Sequence, residues 1–87
     1  MNVVYKYELA LVEVQVIHLP RFAEILTVQT QGDAICMWVK VDTEQVSTPR
    51  TIVTNGTGEP LITKGLHTYI TTLQMGSMVW HYFEVVK

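Results

Sequence analysis

Charge is what this 87-residue chain has least of. Only 16% of its residues are charged, six Lys or Arg and eight Asp or Glu, against a usual share of about 25%. The cations Lys6, Arg21, Lys40, Arg50, Lys64 and Lys87 are scattered singly. Duplex nucleic acid is thereby excluded as a ligand, because its binding rests on several cationic phosphate contacts. The net charge of −2 is too small, and the acids too dispersed, for a nucleic-acid mimic. A single cysteine, Cys36, excludes an internal disulfide. Set in an apolar run, it reads as a buried inert thiol. There is no basic leader and no long apolar run, so neither a signal peptide nor a membrane span is predicted, and a reducing cytoplasm is the expected setting. His18, His67 and His81 lack ligand-like spacing, so no metal site is expected. No carboxylate pair and no Ser or Cys stands in a catalytic motif, so neither enzymatic activity nor a cofactor is expected.

What the chain does have is apolar side chains, at 48% of its residues. A domain this small buries a modest core. The surplus should stay at the surface, and large apolar patches mark interfaces. A homodimer or homotetramer is expected, with the C-terminal segment in or near the contact.

Period-two patterning runs through the sequence and 3.6-residue periodicity does not. Val3, Tyr5, Tyr7 and Leu9 share one face of a first strand. Val12, Val14 and Val16 share a face of a second, with a bulge predicted at Ile17 and a stop at Pro20. Ile25–Gln31 and Ile35–Asp42 are strands flanking a tight turn at Gly32-Asp33. Thr43–Pro49 reads as loop and Arg50–Thr54 as a short strand. Asn55–Pro60 is the densest turn composition, and Leu61–Leu66 a loop or brief helix. His67–Met75 and Met78–Val86 enclose Gly76-Ser77, the pattern of a type II′ hairpin. The expected fold is all-β: one domain, a small antiparallel sandwich or barrel-like sheet of six or seven strands.

Two stretches are candidates for binding. In Asn55-Gly56-Thr57-Gly58, successive amides and the Thr57 hydroxyl can converge on an anion. No helix or Lys-Ser/Thr pair makes it a P-loop, and the commoner use of such a stretch is a plain surface turn. On the last strand Trp80, Tyr82 and Glu84 share one face and Val79, His81, Phe83 and Val85 the other. Two aromatics in a row can stack planar rings or form the dry centre of a subunit contact. His81 reads as a hydrogen-bonded core histidine. Trp38, among Cys36, Lys40 and Asp42, reads as lying on a partly wet or partner-covered face.

Several segments, taken in order, resemble one family. They are Val4–Leu9, Ile25–Gln29 with Gly32, the Ile35–Asp42 strand with its Cys36-Met37-Trp38, the Gly56-Thr57-Gly58 turn, Thr72-Leu73-Gln74 and Val79–Glu84. The family comprises short proteins encoded by tailed bacteriophages and prophages, and the resemblance covers nearly the whole chain. Where its members often carry His-Pro after Gly-Thr-Gly, this chain has Glu59-Pro60. The resemblance implies a small β protein of the host cytoplasm during infection. It also implies kinship with phage sponge proteins, oligomers that sequester cyclic nucleotide signals of host defence systems such as CBASS without cleaving them. For such a dianionic cyclic dinucleotide the chain offers Arg50, Lys64 and the Gly56, Thr57 and Gly58 amides to the phosphates. It offers Trp38, Trp80 and Tyr82 to the bases. The alternative is a protein–protein interaction module: a host-enzyme inhibitor or a minor structural or scaffolding protein.

Overall fold

The computed structural model describes residues 1–61 and 65–86. Seven strands follow one another: β1 (Asn2–Leu9), β2 (Val14–Pro20), β3 (Glu24–Gln31), β4 (Ala34–Asp42), β5 (Ser47–Gly56), β6 (Leu66–Met75) and β7 (Met78–Val86). They form two antiparallel sheets, one ordered β1-β4-β3 and the other β2-β5-β7-β6. The sheets stack into a flat sandwich, about 40 × 32 × 16 Å between Cα extremes.

Both glycine hairpins form where the turn chemistry places them. Gln31 pairs with Ala34 and Met75 with Met78, leaving two-residue loops. Gly32 and Gly76 take φ of 59° and 61°, while Asp33 and Ser77 stay out of the left-handed region. Positive φ at the first loop position alone is the type II′ pattern; type I′ needs it at both.

The core lies between the sheets. Ile35, Met37, Val39 and Val41 alternate inward along β4 and are at most 5% exposed. They meet Leu19, Ile52, Leu73 and Tyr82 from the other sheet. Burying one such side chain stabilises the fold by roughly 1.5–3 kcal/mol.

Val14 and Val16 share a face as expected, and two other expectations are corrected. The inward face of β2 is Gln15, Ile17 and Leu19, whereas Val14 and Val16 are exposed. The strand pairs with β5 without interruption from Val14 to Pro20, so there is no bulge at Ile17. The register shifts instead at Leu26 in β3 and at Ile70 in β6. Finally, β5 begins at Ser47 and contains Pro49. A proline is tolerated there because the β5–β7 pairing starts only at Thr51, so its missing N–H faces no partner strand.

Candidate functional site

The residues singled out from the sequence lie in four separate places. Arg50 points into the sandwich. Its Nη2 donates to Glu84 Oε1 at 2.9 Å, its Nε donates to Glu84 Oε2, and its Nη1 donates to the Ala23 carbonyl at 2.9 Å. Its guanidinium is therefore committed at both ends of its fork. Glu84, hydrogen-bonded to it, raises its pKa further and outweighs the opposing effect of burial. Gly56 lies six residues along the strand, about 20 Å away at the rise of an extended chain. Arg50 thus serves the sandwich interior and does not reach the Gly-Thr-Gly turn.

Tyr82 is fully buried in the core, which corrects its assignment to a stacking surface. Burial pushes its phenol pKa up, with the Thr54 hydroxyl pulling the other way without reaching hydrogen-bond geometry. Trp38 pairs across to Lys6 and Thr27, on the outer face of the three-stranded sheet. It is therefore on the opposite broad side of the sandwich from the β5–β7 outer face. Lys64 lies outside the described residues.

The turn itself is built differently from an open anion nest. The Glu59 N–H donates to the Gly56 carbonyl at 3.2 Å, and Gly58 at the third position has φ of 84°. That is the type II pattern, in which glycine is preferred at the third position. The Gly56 amide donates to Glu59 Oε1 at 3.1 Å, and Asn55 Nδ2 donates to the Glu59 carbonyl at 2.7 Å. A Cβ at residue 56 would stand 2.3 Å from that carboxylate oxygen. The chain's own carboxylate therefore occupies the amide that an anion would have needed.

The Thr57 hydroxyl is also engaged, 2.7 Å from His81 Nε2. His81 Nδ1 lies 3.0 Å from Thr72 Oγ1, which is 2.8 Å from the Tyr69 hydroxyl. The four side chains make one hydrogen-bonded line across the outer face of β7 and β6. His81 is hydrogen-bonded as read from the sequence, but on the outer face of its sheet, not in the core.

Trp80 is where cleft and turn meet. It borders a cleft of about 360 Å³ with Glu13, Thr54, Asn55, Glu59 and Pro60. It also borders a shallower one of about 540 Å³ with Gly56, Thr57 and Ser77. No Lys or Arg is among the described residues lining either.

A second feature escaped sequence reading: the contrast between the two broad faces. The three-stranded sheet carries Lys6, Glu8, Glu24, Lys40 and Asp42. The four strands of the other sheet contain one arginine and one glutamate, Arg50 and Glu84, and these neutralise each other inside. Its outer face is crossed by the row Val14–Val53–Phe83–Tyr69 and, beside it, Val16–Thr51–Val85–His67. The Phe83 ring meets Tyr69 edge-on at 5.8 Å between centroids.

A family model described as "Domain of unknown function (DUF7352)" matches residues 1–87. No curated protein and no solved structure matches the chain.

Proposed function

The chain belongs to the DUF7352 family, and we propose that it is a non-catalytic interaction module that self-associates through the outer face of its four-stranded sheet. The observation that carries this is the absence, among the described residues, of any charged side chain on the outer face of β2, β5, β7 and β6. An uncharged, flat, β-branched and aromatic face can meet its own copy without like-charge repulsion, as a two-fold contact requires. In plan the sandwich measures about 40 × 32 Å, which leaves room for the roughly 800 Å² per partner of a standard interface. The terminal hairpin β6–β7 supplies half of the strands in that contact.

Light scattering at micromolar concentration tests this directly. A homodimer or homotetramer is expected, reverting to a 9.9 kDa monomer in Val16→Glu, a change on an exposed edge strand. A wild-type monomer refutes the reading.

A second reading is the cyclic-nucleotide sponge of tailed phages, acting in the host cytoplasm. Its support is the resemblance in sequence together with the Trp80 ring, which borders two clefts, against the Glu13 and Glu59 carboxylates that face an anion there. Recognition would then run through the bases, since Arg50 is committed to Glu84. Calorimetric titration with cyclic di- and trinucleotides decides it: no binding tighter than about 10 μM, or −6.8 kcal/mol, removes this reading.

A further inference from the structure

The cleft beside Trp80 has a chemistry opposite to the one expected of this region. Its described lining holds two carboxylates, Glu13 and Glu59, and no cation. Glu59 is held in place by the Gly56 amide on its Oε1, and a carboxylate with about four acceptor sites has capacity left over. Glu13 is fixed by its backbone, whose carbonyl accepts the Thr54 N–H at 2.9 Å. Thr54 also lines the cleft, and it is only 6% exposed. Its Oγ1 is buried with no hydrogen-bond partner among the described residues. The Tyr82 hydroxyl, across the strand pair, is its nearest partner in kind, so the cleft is defined by its carboxylates and by Trp80.

We propose that this cleft receives a planar guanidinium group, presented by an arginine side chain of a partner protein. Three features select it. The Trp80 indole is the best ring for a cation over its face. The carboxylates accept the guanidinium fork with charge-assisted bonds. A guanidinium is planar and weakly hydrated, so it enters a slot beside a ring more readily than an ammonium does. An anion meets two like charges here. This assignment draws on the interaction-module reading only for the source of the group.

The test uses the full chain and L-argininamide as probe, with L-lysinamide and a capped Gly-Arg-Gly peptide as comparators. Binding is followed by calorimetry and by the Trp80 indole NMR signal at 100 mM salt. Argininamide is expected to shift the Trp80 signal and to bind at least fivefold tighter than lysinamide. Glu59→Gln and Glu13→Gln, both at exposed positions, should each weaken it about tenfold while leaving thermal stability in place. Equal binding of lysinamide, an unmoved Trp80 signal at millimolar argininamide, or unchanged affinity in both glutamine variants overturns the proposal. Binding of argininamide without the capped peptide overturns the protein-borne source. A monomeric wild type that still binds argininamide removes the self-association reading and leaves this one standing.

Discussion

Arg50 on β5 holds both carboxylate oxygens of Glu84 on β7 through Nε and Nη2 and, with its remaining nitrogen, the Ala23 carbonyl. The residues stand diagonally across the strand pair, since Glu84 is directly opposite Ile52. One side chain thereby ties two central strands to the β2–β3 turn, which passes from one sheet to the other. The side chains are 22% and 11% exposed, so neither is freely solvated.

Removing one partner of this pair leaves the other charge stranded. Arg50→Ala is expected to cost about 3 kcal/mol of stability, read as a lower urea midpoint. Joint replacement, Arg50→Met with Glu84→Leu, should recover most of that loss. A single variant as stable as wild type would show that the pair contributes nothing.

The Tyr82 hydroxyl is buried without a partner among the described residues. Tyr82→Phe is therefore expected to be neutral or to stabilise by up to about 1 kcal/mol, since it deletes an unsatisfied group. Its phenol pKa is raised above the ordinary 10.0, mainly by burial. Folding thus favours the protonated form. That stability is fully present below pH 10.0 and is lost as pH rises from there through the higher folded value. Alkaline unfolding should move to higher pH in the phenylalanine variant, followed by circular dichroism.

Phe22 takes φ of 68° while 77% exposed. The Ala23 N–H donates to the Pro20 carbonyl across it, so it fills a turn position that suits glycine. An aromatic in that region costs about 1–3 kcal/mol. The Arg21 guanidinium, 4.7 Å from its ring centroid, returns about 0.5–1 kcal/mol. Phe22→Gly should raise the melting temperature; a drop of several degrees would mean the ring contributes packing that its exposure hides.

Gly56→Ala places a methyl against the Glu59 carboxylate. The displaced group is an exposed side chain, so the fold should change by less than about 1 kcal/mol. Argininamide affinity should fall as it does in Glu59→Gln. Unchanged affinity would separate the turn from the cleft.

The strand set was legible because hairpins declare themselves locally. Gly32-Asp33 and Gly76-Ser77 mark their turns, and β4 alternates cleanly. The faces of β2 were not legible, because Val14 and Val16 are as apolar as Ile17 and Leu19. With an uncharged outer face, alternation has no polar side to orient it. On β7 the shared face of Trp80, Tyr82 and Glu84 was read correctly, yet its direction was not. Glu84 suggests water until Arg50, 34 residues earlier, is seen to neutralise it. The same pairing removed Arg50 from the anion site. Glu59 took the Gly56 amide by a side-chain contact that no turn propensity encodes.

Only β3–β4 and β6–β7 are joined by two-residue loops; β1 must find β4, and β5 must find both β2 and β7, across long stretches of chain. Such hairpins close in about 1–10 μs, whereas chains dominated by distant pairings fold in milliseconds to seconds. The Trp80 cleft draws its walls from the segment before β2, from β5 and from β7. It therefore does not exist in either early hairpin. The surroundings of Trp80 are complete only once β5 has docked, so in a Trp38→Phe chain, where Trp80 is the one remaining indole, its fluorescence should follow the late, long-range pairing and not the hairpin.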